Sequence, residues 1–151
     1  MPAKKITTWV LIADAARARI LKNDGPGRGV DAVEGLVFEN EHPKLGEIMA
    51  DKPGRSFDST GSGRHAMEYS TDAVREDEHA FAKSLAEVLL TARRNQDYDR
   101  LILIAAPRML GDLRAVLPAP VKSVIHAEID KDLTKIPNSD LPKHLEGVLS
   151  V

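Results

Sequence analysis

The sequence predicts an α/β domain with a single mixed five-stranded sheet and helices packed on it, and three stretches carry that expectation. Leu101 to Ala106 is a short apolar run led by Asp99-Arg100 and stopped by Pro107, the pattern of a strand buried on both faces. Thr7 to Ala13 is a second such run, rich in β-branched and aromatic residues. Between them Val74, Phe81, Leu85, Val88, Leu89 and Ala92 recur at spacings of three, four and seven, one apolar helical face able to cover a sheet. The Leu101 strand is expected to be central in the sheet and parallel to the Trp9 strand, because each run needs cover on two faces.

In chain order, Thr7–Ala13 and Arg17–Lys22 read as a hairpin around Asp14-Ala15-Ala16, and Val30–Glu39 as a third antiparallel strand after the turn formers Asn23-Asp24-Gly25-Pro26-Gly27. From about residue 40 to 71 the periodicity fails. This stretch, with Asp51-Lys52-Pro53-Gly54-Arg55-Ser56 and Ser59-Thr60-Gly61-Ser62-Gly63-Arg64-His65, reads as a long polar loop. Glycines let backbone N–H groups approach an anion, and Arg55 and Arg64 can grip phosphate through two N–H groups; turn glycines that merely relieve strain would leave the same pattern. It is no Walker or dinucleotide fingerprint, since no strand precedes it directly and Gly-x-x-x-x-Gly-Lys is missing.

Thr71 or Asp72 can cap a helix running to about Gln96, acidic near its start and ending on Arg93 and Arg94. After the Leu101 strand, Pro107 has a φ suited to a first helical turn, and Met109, Leu110, Leu113, Val116 and Leu117 form the next apolar side. Arg108 would then stand at the carboxyl edge of the sheet, where helix amino-termini favour negative charge. Leu117-Pro118-Ala119-Pro120 is a stop, Val121–Asp130 reads as a fifth strand, and Ser139 or Asp140 caps a final helix with Pro142 in its first turn. On that strand Ile125, Ala127 and Ile129 are expected on one face. His126, Glu128 and Asp130 would share the other, which suits a metal site or a plain solvated face.

At 151 residues and 42% hydrophobic composition the chain fits one domain, residues 1–151, with a real core. The absence of cysteine excludes disulfides and thiolate chemistry. The apolar stretch Ile6 to Ala13 is too short for a signal peptide or membrane span and meets Asp14 at once, so a cytoplasmic location is expected, with no membrane partner. A net charge of −2 argues against a protein coated in basic charge, and no DNA partner is expected. Basic residues do gather at Lys4, Lys5, Arg17, Arg19, Lys22 and Arg28, whereas 68–78 is acidic, so local basic surface stays open beside ordinary solvated faces.

The order strand, strand, strand, helix, strand, helix, strand, helix is that of ribonuclease H-like domains. Motifs spread over most of the chain are more specific: Trp9-Val10-Leu11-Ile12-Ala13-Asp14 with Ala18-Arg19, Asp51 to Phe57, Gly63-Arg64-His65, Phe81-Ala82, Ala106-Pro107-Arg108-x-Leu110-Gly111-x-Leu113-Arg114, and Asp130-Lys131-Asp132-Leu133-Thr134. With these the chain resembles the bacterial family of proteins required for attachment to host cells. More distantly it is similar to the middle domain of eukaryotic and archaeal class-1 release factors, where a glycine-rich loop precedes a long helix. Those factors place Gly-Gly-Gln in that loop; this chain has no glutamine there, so peptidyl-tRNA hydrolysis is not implied. Ribonuclease H enzymes hold metals on carboxylates at the ends of the first and fourth strands. Asp14 fits the first, but Ala105-Ala106-Pro107 supplies nothing at the second, so a metal-dependent nuclease is not implied either.

The resemblance implies a non-catalytic binding module with no cofactor and no metal. Its partner would bear phosphate, RNA or a ribosomal complex, and would meet one surface made by Arg55, Ser56, Gly63, Arg64, His65 and Arg108. Aromatic content of 4% leaves little for base stacking, so backbone contact would dominate. Two other classes remain: an enzyme, either a hydrolase with His65 as base or a metal enzyme on the His126 face, and a protein interaction factor in cell-surface assembly.

Overall fold

A computed structural model describes residues 5–40 and 60–151, with the backbone alone over 60–71. Five strands form one sheet: β1 (Thr8–Ala13), β2 (Arg17–Asn23), β3 (Asp31–Glu39), β4 (Arg100–Ala105) and β5 (Ile125–Asp130), in the order β3-β2-β1-β4-β5. The first three are an antiparallel meander, and β4 runs parallel to both β1 and β5. This is the mixed α/β sheet that the sequence predicts. The Leu101 strand is internal, while the middle position belongs to β1.

The β1–β4 pair explains the layers. Its register is unbroken from Thr8 opposite Arg100 to Ala13 opposite Ala105, and Leu101 to Ala105 are fully buried. Strand side chains alternate, so the pair needs cover on two faces. On one, Leu11, Leu101 and Leu103 meet Phe81, Leu85 and Leu89 of α1 (Thr60–Arg94) and Leu110 and Leu113 of α2 (Pro107–Val116). On the other, Val10, Ile12, Ile102 and Ile104 meet Leu133, Leu141 and Leu145 of the carboxyl-terminal segment. That segment holds only a 3-10 turn (Asn138–Asp140) and one short helix, α4 (Leu141–His144), so its apolar side is carried largely by irregular chain.

Two boundaries and one register differ from expectation. Helix α1 starts at Thr60, so Gly61 to His65 stand inside it rather than in a loop before it. No proline follows Pro53 until Pro107, and two glycines in a helix cost only about 1 kcal/mol each, so nothing in the run forbids continuation. The fifth strand begins at Ile125, because Ala119–Lys122 close a helical turn, α3, in which Val121 and Lys122 N–H groups donate to the Pro118 carbonyl. The register of β4 against β5 also slips between Leu101 and Ile102. Ile125 therefore packs with the α1 side and Ala127 and Ile129 with the opposite side, and the three do not share a face.

Tyr98 closes the amino end of this core. Its ring stacks on Trp9 with centroids 4.8 Å apart, and its hydroxyl donates to the Leu89 carbonyl at 2.8 Å. Burial pushes its pKa up to about 12 from 10.0. The phenol thus ionises more readily in the unfolded chain: its contribution is fully present below pH 10 and is lost as pH rises from 10 toward 12. Tyr98→Phe should flatten that alkaline loss in pH-dependent denaturation and cost about 0.5–1.5 kcal/mol near neutrality. Leu103→Ala, beneath α1, should cost about 2–5 kcal/mol in chemical denaturation; a loss well under 1 kcal/mol would contradict this account of the core.

Candidate functional site

The carboxyl ends of β1, β4 and β5 lie along one sheet edge, and three short connections build its surface. After β1 the chain must reverse, and Asp14 makes it do so. One carboxylate oxygen accepts the N–H groups of Ala16 and Arg17 at 2.7 and 2.8 Å, an Asx turn that opens β2. The other lies 2.9 Å from the Thr134 hydroxyl, which is 2.6 Å from Asp132 as well. Both oxygens of Asp14 are thus engaged in holding the β1–β2 turn to the segment after β5. The Asp132 carboxyl titrates below its ordinary range, first because of the Thr134 hydroxyl and less so through Lys135 and Arg17.

Arg19 ties the same segment down. Its guanidinium donates to Asn138 Oδ1 at 2.9 Å, to the Thr134 carbonyl at 2.7 Å and to the Ile136 carbonyl. A planar fork suits this task, since irregular chain has carbonyls that no helix or strand satisfies. Burial lowers the pKa of Arg19, as expected for a cation withdrawn from water toward carbonyl oxygens alone.

After β4, Pro107 takes the first helical position of α2 with Ala106 extended before it, as the sequence predicts. Arg108 follows, its side chain 66% exposed, with one guanidinium nitrogen 3.7 Å from Glu78 of α1. Glu78 also accepts from Arg75 at 2.7 Å, and Arg75 forks onto both oxygens of Asp112 at 3.0 and 3.2 Å. The two carboxylates are almost wholly buried between α1 and α2. Its hydrogen bonds to Asp112, and then to Glu78, raise the Arg75 pKa. Arg108 is the outer member of this chain of four charges, on its solvent side. Arg17, Lys131 and Lys135 are further exposed cations at the same edge.

The remaining expected positions fall as follows. Arg55 and Ser56 lie outside the described residues. Gly63, Arg64 and His65 belong to the first turns of α1. A helix of 35 residues is about 52 Å long, against about 20 Å for a six-residue strand, so the turns before Glu78 run on past the sheet edge where Arg108 stands. The metal face expected on β5 does not form. The slip that separates Ile125 from Ala127 also separates His126 from Glu128: the His126 ring is 3.0 Å from the Val148 carbonyl, while Glu128 accepts from Arg114 at 2.6 Å. Among the described residues no three His, Asp or Glu side chains are placed to hold a metal ion, and none of the helices is long and apolar enough to cross a membrane.

The profile of one protein family, described as protein required for attachment to host cells, matches residues 9–145. The chain belongs to that family. No curated protein matches it. The match takes in the whole carboxyl edge of this host-attachment protein, from the Asp14 turn to α4. Two members of that edge escaped sequence reasoning. Arg75 has only a local i,i+3 partner in the sequence, and its fork onto Asp112 exists only once α1 and α2 pack. Arg19 reads as an ordinary polar strand position, and the carbonyls it serves lie more than a hundred residues away.

Arg19→Lys should destabilise the protein by about 2 kcal/mol or more in urea titration, because a lysine reaches fewer of these acceptors and leaves buried carbonyls unpaired. The exposed control Arg17→Lys should stay within about 0.5 kcal/mol of the parent.

Proposed function

We propose that this host-attachment protein is a non-catalytic binding module that engages a phosphate-bearing partner, RNA or a ribosomal complex, at the carboxyl edge of its sheet, and that it acts on attachment indirectly from the cytoplasm. The observation that carries this reading is the placement of Arg108. It stands on the first turn of α2, beside backbone N–H groups that have no intrahelical acceptor, is largely exposed, and among the described residues its ion pair is the long one to Glu78. A phosphate would meet an exposed guanidinium there, kept in place by the buried Glu78 behind it.

The exposed Arg17, Lys131 and Lys135 support the reading by widening the cationic edge. So does the path of α1, whose first turns carry Gly63, Arg64 and His65 beyond the sheet. Arg55 and Ser56 join this surface on the strength of the sequence motif. Hydrolysis is the weaker reading on chemical grounds. Asp14, the carboxylate nearest in position to a nuclease ligand, spends both oxygens on a turn and a threonine, and the end of β4 offers only Ala105-Ala106-Pro107.

The test is a salt series of binding to ribosomes and short RNAs. Replacing Arg108 or Arg64 by alanine should weaken binding across RNA sequences and lower the salt slope by roughly one unit each, with the RNA left uncut in magnesium. Equal binding by parent and both variants would remove the phosphate reading. Cleavage abolished by Asp14→Asn would replace it with a nuclease.

A further inference from the structure

The meander end of the sheet carries a second surface, away from the carboxyl edge and independent of the phosphate reading. Strands lie about 4.8 Å apart and a helix is about 10 Å wide, so two helices side by side cover roughly four strands. Helices α1 and α2 pack against each other on one face of a five-stranded sheet, and β3 overhangs. Its inward residues Val33, Leu36 and Phe38 remain only partly buried. An open groove of about 820 Å³ follows, floored by Trp9, Val33 and Leu36, and continues past Ser84 into a smaller one of about 370 Å³ beside Phe38.

The geometry points to this groove as the docking site of a basic amphipathic helix from another protein, seated beside α1 as a third helix on the sheet. Three features select that occupant. The wall that α1 presents is Ser84, Val88, Thr91 and Asn95, spaced four, three and four, so small and β-branched side chains line one helical stripe along which a second helix can approach. The outer edge of β3 is poorly suited to an added strand: between Arg19 and Leu21 of β2 the pairing jumps from Val37 to Ala32, a bulge with Gly35 at φ +80°. Finally the rim is acidic. Among the described lining residues Glu34, Glu87 and Asp97 stand against Lys22, with Asp31 opposite Lys22 at the start of β3, while the exposed Lys83 and Arg94 lie beyond Glu87 on the outer face of α1. An apolar floor between acidic rims complements a helix with one apolar stripe bordered by lysine or arginine, and it repels phosphate.

Trp9, the single tryptophan of the chain, lies in the groove floor and reports occupancy by its fluorescence. The groove runs along α1 from Ala80 to its end at Arg94, about 21 Å, and on to Asp97, so the probes are synthetic peptides of about 18 residues. One is an amphipathic helix of leucine, alanine and lysine. The second has glutamate for every lysine. The third has the composition of the first with its leucines scattered around the helix. The lysine peptide should give a saturable Trp9 change and bind at least about tenfold more tightly than the other two. The double variant Glu34→Lys, Glu87→Lys alters two exposed side chains without touching the core, and it should invert the preference between lysine and glutamate peptides. No saturable response to the lysine peptide, equal binding of all three, or a preference unmoved by the double variant would each overturn the assignment. None of these outcomes bears on the salt slope of Arg108, so the two surfaces are tested separately.

Discussion

The parallel pairing of β1 with β4 is the constraint on which the rest of the structure depends. Two strands in unbroken register, apolar on both faces, cannot remain in water, and each face demands a different cover. The α1 side receives two amphipathic helices whose backbone groups are satisfied within themselves. The opposite side receives a carboxyl-terminal segment that is mostly irregular, and its carbonyls need donors from elsewhere. Arg19 supplies them from β2, and Thr134 links the same segment to Asp14. A charged residue in the middle of a strand thus follows from the way the second face is covered.

This division also decides which charges at the carboxyl edge are engaged within the fold. The charges nearest the core there are structural: Asp14 and Asp132 share the Thr134 hydroxyl, while Glu78 and Asp112 are held by Arg75. Buried carboxylates without a cation would be costly, so Arg75 is tied to its place. Outside them lies an exposed layer in which Arg17, Arg108, Lys131 and Lys135 stand together with Asp130 and, opposite Arg17, Glu39. The same edge would otherwise supply the carboxylates of a hydrolytic centre. Here they are occupied one by one by turns, hydroxyls and guanidinia.

Elements that owe their form to local chemistry were legible in the sequence. The ends of β4 follow from Asp99-Arg100 and Pro107, and the entry into α2 from the fixed φ of that proline, so both stand within a residue of expectation. The start of α1 was not legible, because Gly61 and Gly63 weaken a helix without forbidding it, and glycine-rich sequence reads equally as loop. The slip in β5 was not legible either. A strand's alternation is a local pattern, whereas register is decided across the sheet, and one displaced residue sent His126 and Glu128 to different neighbours. Arg108 could be placed from Pro107 alone. Arg75 and Arg19 act across distances in the chain that no spacing rule encodes.

The sheet's width explains where the groove lies. Parallel strands collect helix amino-termini and connecting loops at their carboxyl ends, and in this chain that end carries Arg17, Arg108, Lys131 and Lys135 together with Asp14, Asp130 and Asp132. The antiparallel meander adds β3 without adding a helix, so its overhang exposes apolar residues that a soluble surface must border with charge. That border is acidic at Asp31 and Glu34 of β3 and at Glu87 of α1. Had both borders been basic, an anionic partner could settle on either. On the proposed reading the groove's carboxylates would draw a basic helix and turn a phosphate away, and their place follows from where the helices leave off.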